Sequence, residues 1–400
     1  LEAFFYAICA SFSMKKNIKV TRQKFTGVDL FAGAGGFSLA AQQSGIKVIA
    51  AIEMNKVACN TYTRNLIKRK RNPPILFDDD INEIDFKILM KSTALKKREC
   101  DVLLGGPPCQ GFSTHRINGT GVDDPRNALL FRYFEFVRVL QPKVFVVENV
   151  PGLLWKRHEK YLQKFLQEAK KTKYKIHGPT AINARDYGVP QNRKRVFIVG
   201  IRDDLDIKLT WPPTPTHFSP TSKEVIELGK RSWEIAASVF SKPLLPNDLN
   251  AVHMNHSEEI VNVFRNTPPN GGSRSQSGRI LPCHTRHDGH NDVYGRIDPN
   301  VPGPTMTTAC INPSKGRFVH PTEHHGITAR HAARFQTFPD NFIFEGGLMA
   351  AGTQIGNAVP IGLGKAVLSH VIAALKRNQK LPTKRKKQMH KHKPISRTPK

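Results

Sequence analysis

The sequence predicts an α/β fold, doubly wound around a mostly parallel sheet, with a second, smaller and loop-rich domain. Three observations carry this. Apolar runs of four to six residues alternate with helical stretches from Thr26 to Ile201, as in strands buried on both faces. Glycines or acidic residues follow directly on several of those runs, where open parallel sheets bind ligands. From Ile201 to about Arg317 the texture shifts to Pro, Gly, Asn, His and Arg, too broken for a central sheet.

The elements follow in order. TGVDLF, from Thr26, is the first predicted strand and runs into AGAGG. FSLAAQQSG is a helix closed by Gly45, because glycine accepts the left-handed backbone that ends a helix. KVIAAIE is the second strand and ends at Glu53, ILFDDD the third, CDVLLGG the fourth, KVFVVENV the fifth, and RVFIVGI, from Arg195, a further one. NALLFRYFEFVRVLQ and KYLQKFLQEAKK are helices between strands; ITARHAARFQTF is helical, and PIGLGKAVLSHVIAALK is a long helix after a Gly-Asn turn. The expected organisation is a ligand-binding domain over 14–200, a second domain over 201–345, a return to the first over 346–380, and a basic, Pro-containing disordered tail over 381–400. Met14-Lys15-Lys16 reads as a natural start, so 1–13 is expected to be an upstream extension.

The 400 residues carry 61 Lys plus Arg against 32 Asp plus Glu, a net charge of +29. The last 25 residues hold eleven Lys/Arg and no acid, so most of the excess lies in the folded part. A polyanion is the implied partner, nucleic acid ahead of a membrane surface. With 39% hydrophobic residues, the bulk is globular. The six cysteines, at 9, 59, 100, 109, 283 and 310, are irregularly spaced without a C-x-x-C pair, which points to a reducing, cytoplasmic setting. No run is expected to reach the ~18 apolar residues of a membrane helix.

Four clusters could carry chemistry. In Asp29-Leu30-Phe31-Ala32-Gly33-Ala34-Gly35-Gly36-Phe37, glycines at a strand end let the backbone approach a ligand. Glu53, twenty residues after Gly33, stands where a carboxylate can hold ribose hydroxyls. Because the glycine spacing is not G-x-G-x-x-G, a nucleoside cofactor without a pyrophosphate fits as well as a dinucleotide. In GGPPCQGFS two prolines fix the backbone before Cys109, an unusual setting for an inert core cysteine. Glu148 ends the fifth strand and could face Cys109 across the crevice; a helix cap is the bland alternative. In Gln191-Asn192-Arg193-Lys194-Arg195, alternation along extended backbone puts Arg193 and Arg195 on one face, unless this is a solvated basic run. Cys283, His284, His287 and His290 have ligand-like spacing, but no metal site is expected there.

FAGAGGFS, GGPPCQGFS, ENV, QNRKR, TARHAARFQTFPD and GNAVP occur in this order, and together they closely resemble the DNA (cytosine-5)-methyltransferases of the bacterial and phage restriction-modification type. The resemblance runs from about Thr26 to Leu375, with a variable gap from about Ile201 to Asn300. Two positions depart from the family pattern: Arg330 is followed by His331 where Glu is usual, and His325 replaces a common Arg. The resemblance implies a Rossmann-like S-adenosylmethionine-dependent methyltransferase sheet with a target-recognition domain. It implies S-adenosylmethionine as cofactor, with Phe31 against the adenine and the loop backbone of Ala32, Gly33, Gly35 and Gly36 against the methionine part. Glu53 would hold the ribose, Asp80 the adenine amine, with Met54 and Ile81 beside them, and Asn357 would close the pocket from the C-terminal side. Cys109 would be the nucleophile, Glu148 would contact cytosine N3, and Arg195 would bind near the base carbonyl, with Arg193 counted among the catalytic residues. The implied substrate is double-stranded DNA, and action as a monomer, with no membrane, is expected.

The chemistry asks for these residue types independently. Cytosine C5 is a poor nucleophile until a thiolate adds at C6, and an unperturbed thiol, pKa about 8.5, is only slightly ionised at neutral pH. The target atom is inaccessible inside a duplex, so the base must be flipped out. The segment Ser113 to Asn127 reads as a mobile loop able to close over it. Arg265, Arg274, Arg279, Arg286 and Arg296 are candidate readers of guanine edges. Two alternatives remain open at this point: an RNA cytosine-5 methyltransferase on the same fold, and a catalytically silent DNA-binding protein.

Overall fold

The computed structural model describes residues 25–68, 70–108, 128–279 and 292–380. Its centre is a seven-stranded sheet in the order β3-β2-β1-β4-β5-β7-β6. The strands are β1 (Phe25–Leu30), β2 (Ile46–Ile52), β3 (Ile75–Phe77), β4 (Val102–Gly105), β5 (Val144–Asn149), β6 (Tyr174–Asn183) and β7 (Lys194–Arg202). The first five run parallel, while β7 is antiparallel to both β5 and β6. The predicted doubly wound, mostly parallel sheet is therefore present. Sequence reading did not assign β6. Its central residues are exposed or half-buried, and Gly178-Pro179 interrupts its register with β7, so no apolar run marks it.

The two faces of the sheet divide residue by residue. Val102, Leu104, Val144, Val146, Phe197 and Val199 belong to one buried cluster, and the intervening Leu103, Phe145, Val147, Val196 and Ile198 to another. Strand side chains alternate in direction, so an apolar run without polar gaps has to be covered on both sides. The helices in chain order are α1 (Gly36–Gln43), α2 (Lys56–Tyr62), α3 (Phe86–Thr93), α4 (Ala128–Leu140), α5 (Glu159–Lys171), α6 (Lys223–Ile226), α7 (Ala237–Phe240), α8 (Glu258–Asn266), α9 (Ala329–Phe335), α10 (Gly347–Asn357) and α11 (Ile361–Lys380). Helices α1, α9, α10 and α11 cover the first face; α3, α4 and α5 cover the second.

The stretch Gly347–Arg377 is long and apolar enough to cross a membrane by length and composition, which corrects the expectation that no run would be. It is a core element here: 67% of its most apolar window is buried inside the fold.

Among the described residues between 203 and 328 regular structure is sparse, as expected; β8 (His217–Phe218) and β9 (Arg231–Ser232) form a two-stranded ribbon. Loops bring many backbone carbonyls inside, and buried arginines satisfy them. Arg296, 1% exposed, donates to the carbonyls of Thr267, Phe264 and His320 at 2.9, 2.6 and 2.8 Å. Arg334 reaches the carbonyls of Val239, Lys242 and Pro243. Arg330 forms a two-pronged ion pair with Asp248 at 2.5 and 2.9 Å, both side chains buried. His331, at the third position of α9, forms a capping box with Thr328. It packs with Phe240 and His320, while His325 stacks on His253 with ring centroids 4.0 Å apart.

Candidate active site

The carboxyl ends of β1, β2, β3, β4 and β5 share one edge of the sheet. There the backbone must turn sharply, and every predicted site residue among the described ones is at or near that edge, except those returning from the C-terminal half.

Phe31 leaves β1 with φ of 59°, a left-handed conformation that is costly for a bulky residue. Ala32 then donates to the carbonyl of Ile52 at 3.0 Å, and Gly35 to that of Ala32 at 2.9 Å, so the loop folds back over the neck between β1 and β2. Gly35, at φ of 95°, caps α1, and a Cβ there would stand 2.4 Å from Leu66. Gly33 has φ of 55° and open space where its side chain would be. Glu53, half-buried, accepts from the backbone N–H of Gly33 and of Asn55, each at 2.8 Å, and so fastens the loop to the end of β2. Met54 is 61% exposed beside it. Asp80, three residues past the end of β3, accepts from Asn82 N–H at 2.9 Å and precedes buried Ile81.

The GNAVP segment returns to this loop. A Cβ at Gly36 would meet the Val359 carbonyl at 3.0 Å and the Ala358 methyl at 3.3 Å, and Asn357, immediately before Ala358, is exposed. The pocket thus offers an aromatic ring, an open glycine shelf and two carboxylates at adjacent strand ends. That donor set fits a nucleoside: hydroxyls and an amine for the carboxylates, a ring face for Phe31.

Behind the shelf lies a group without an assigned role in the sequence reading. Asp29, 1% exposed, accepts from Ser38 Oγ at 2.6 Å, and Ser38 also bonds the Tyr62 hydroxyl at 2.8 Å. Among the described residues Asp29 Oδ1 has no partner, and burial pushes the carboxyl up to about 7, with Glu53 adding repulsion. A lone carboxylate in an apolar strand was the available sign.

The second half of the site is the floor between β4, β5 and β7. Glu148 ends β5, 8% exposed, with Oε1 2.9 Å from Arg195 Nε. Burial pushes its carboxyl up, against the pull of Arg195 and Arg193. Glu148 and Phe197 are cross-strand partners, and Arg195 lies on β7 two residues before Phe197. Arg195 Nη1 donates to the Lys194 carbonyl at 2.8 Å, and no partner engages Nη2 among the described residues. A Cβ at Gly106 would stand 3.0 Å from Glu148 Oε2, so the end of β4 presses against this carboxylate because it carries glycine. The chain running from Gly106 to Pro108 leads directly to Cys109.

Cys109 itself lies outside the described residues, as do the 113–127 loop, Arg286, the Cys283–His290 cluster and the 381–400 tail. Among the described residues no cluster of His, Cys, Asp and Glu could hold a metal ion. Arg193 does not share the exposed edge of Arg195: it is 1% exposed and donates to the carbonyls of Met306, Gly356 and Ala358 at 2.6, 2.7 and 3.1 Å. Its expected place among the catalytic residues, on one face with Arg195, is corrected accordingly, because its two terminal nitrogens are spent on backbone. Arg296 and Arg274 are likewise buried and cannot reach DNA bases; Arg265, paired with exposed Glu258, and Arg279 remain available.

A family model described as C-5 cytosine-specific DNA methylase matches residues 25–373. The chain is 30% identical over 367 residues to the type II methyltransferase M1.HphI of Haemophilus parahaemolyticus, covering 91% of each. It is 31% identical over 379 residues to M.NgoPII of Neisseria gonorrhoeae, covering 91% of this chain and 100% of that one. A solved structure described as a DNA modification methyltransferase encoded within an E. coli prophage aligns with a TM-score of 0.61 at 25% identity, over 88% of this chain and 99% of that one. The Spodoptera frugiperda DNMT2 structure, with a TM-score of 0.55 over 88% of this chain and 99% of that one, is similar in fold alone at 15% identity.

Proposed function

The chain belongs to the C-5 cytosine-specific DNA methylases, and from that premise we propose that Cys109, Glu148 and Arg195 form its catalytic centre on a flipped-out cytosine in duplex DNA. It is a DNA (cytosine-5-)-methyltransferase and uses S-adenosylmethionine as methyl donor. The observation that carries the residue assignment is the buried Glu148–Arg195 pair at 2.9 Å, on the strand end next to the GGPP turn.

The cofactor supplies an electrophilic methyl group on a sulfonium sulfur. Phe31, the shelf from Ala32 to Gly36, Glu53, Met54, Asp80, Ile81 and Asn357 would hold it. The Cys109 thiolate adds to C6 of the cytosine, forming the C–S bond and moving electron density to C5. Glu148, its carboxyl raised by burial, holds a proton at N3 and offsets the charge that develops there. Arg195 presents Nη2 to the base carbonyl while its Nε keeps Glu148 oriented. Methyl transfer to C5 would leave the cofactor as a neutral thioether; loss of the C5 proton to solvent would then restore the ring double bond and expel the Cys109 sulfur as thiolate. The +29 net charge draws the phosphate backbone.

We further assign the sequence-reading role to 201–345, action as a monomer in the cytoplasm, and protection of host or phage DNA from a matching endonuclease; the similarity to type II methyltransferases supports this last reading. Labelled methyl transfer offered DNA and tRNA side by side, followed by bisulfite sequencing of DNA from an expressing host, tests it. Methylation of one short DNA site is the expected result; transfer to tRNA alone would overturn it.

A further inference from the structure

Four segments of the chain meet at one buried polar knot behind the catalytic floor. Arg193 Nη1 and Nη2 hold the carbonyls of Met306, Gly356 and Ala358, so the guanidinium straddles Asn357. Gln336, fully buried, donates to the carbonyls of Ile355 and Ala358 at 2.6 and 3.2 Å. Gln191, also fully buried, donates to Gln336 Oε1 at 3.0 Å and accepts from Met306 N–H at 2.8 Å. The turn after α10 is thereby hydrogen-bonded, through three side chains, to the extended segment that delivers Arg195.

The knot has no slack. A Cβ at Gly356 would stand 2.3 Å from the Thr307 carbonyl, so α10 ends in backbone contact with residues 307–308. Close-packed interiors pass displacement on to their neighbours. Arg193 precedes Arg195 by two residues on the same extended backbone, which is fixed by the bond from Ala184 N–H to the Arg193 carbonyl at 2.9 Å. A change at Asn357 therefore reaches Arg195 and Glu148 through Arg193.

We infer that Arg193 is a positioning residue that makes cofactor binding and target-base binding interdependent, by tying the Asn357 turn to the Arg195–Glu148 pair. This rests on the residue assignment proposed above. The tie suits arginine because its planar fork spreads the three carbonyls over two separated nitrogens, whereas lysine offers one ammonium nitrogen at the end of its stem. Linkage requires the coupling to be reciprocal, the same factor seen from either ligand.

The test measures DNA affinity with and without saturating S-adenosylhomocysteine, on a duplex carrying the site that bisulfite sequencing identifies, and S-adenosylhomocysteine affinity with and without that duplex. Wild type is expected to show the same factor both ways, about tenfold. Arg193→Lys is expected to bring it within twofold, each separate affinity changing less than the coupling does. A role confined to stability would lower the melting temperature and leave the factor intact. Where Arg193→Lys does not fold, Gln336→Leu, which releases the same turn from one side, is expected to lower the factor partially. A wild type without coupling, or folded variants that keep it, overturns the inference. Covalent trapping of wild type on fluorinated DNA reports separately on the catalytic assignment, so failure of either reading is distinguishable.

Discussion

Arg195 Nε stands 2.9 Å from Glu148 Oε1, and both side chains are largely withdrawn from water at the junction of β5 and β7. Burial pushes the Glu148 carboxyl up and the Arg195 guanidinium down, so the pair sits where neither charge is well solvated. A polar base edge entering this floor supplies partners that water cannot. Glu148→Gln keeps the shape and removes the titrating proton. The expected loss in kcat is on the order of 10²–10⁴-fold, the usual range for a positioned acid or base, with DNA affinity nearly unchanged. Single-turnover methyl transfer checks it.

Glu53 ties Gly33 and Asn55 to the end of β2 through two backbone hydrogen bonds. Glu53→Ala is expected to weaken S-adenosylhomocysteine binding by about 1.5–3 kcal/mol, the scale of hydrogen bonds to a charged group. Titration calorimetry reads this directly, and unchanged affinity would reject the role at the ribose.

Asp29 carries a pH signature. Its carboxyl is raised from 3.8 to about 7 by burial, so the folded state binds the proton more tightly than the unfolded one. The resulting stability is fully present below about pH 4 and is lost as pH rises through 7. Complete loss corresponds to roughly 4 kcal/mol at most. Asp29→Asn is expected to flatten this part of the stability profile and to gain over wild type at pH 8 relative to pH 5. Urea denaturation at the two pH values measures it.

The histidines packed around α9 act with the opposite sign. Burial lowers His331 to about 3 and His320 to about 4, with neighbouring histidines adding repulsion. His331 Nδ1 faces the Thr328 N–H at 3.5 Å, so a proton there would meet a donor. Their stabilisation is present above the ordinary histidine range and falls as pH drops below about 6.5. His331→Gln keeps an acceptor and cannot titrate, so its melting temperature should fall less between pH 7 and pH 5 than that of wild type.

Arg296 and Arg265 are expected to separate stability from recognition. Arg296→Met strands several buried carbonyls and should cost about 3 kcal/mol or more. Arg265 is exposed, so Arg265→Ala should change stability by less than about 0.5 kcal/mol. If it reads a base, methylation-site profiling will show relaxed discrimination at one base pair.

Strands β1 to β5, helices α1, α4 and α5 and the place of the ligand edge were legible because these strands are mostly apolar and lead into glycine or acidic residues. β6 was not, since its half-exposed face gives no such run. Glu53, Glu148 and Arg195 could be located by strand-end position and alternation. Arg193 could not be told from Arg195, because alternation gives a shared direction but not the carbonyls of residues 306, 356 and 358 waiting behind it. Arginine among Gly and His reads as a DNA contact in sequence. At 274 and 296 it is buried in a loop-built interior instead, which only tertiary structure reveals.

The central claim is covalent catalysis by Cys109, and one measurement reaches it most directly. Duplex DNA with 5-fluorocytosine at the methylated position is incubated with wild type and S-adenosylmethionine, and the product is resolved under denaturing conditions. Fluorine cannot leave as a proton, so the expected result is a stable protein–DNA adduct whose peptide mass maps the linkage to Cys109, with none from Cys109→Ala despite retained DNA binding. Turnover by Cys109→Ala, or an adduct mapping to another residue, would contradict the account.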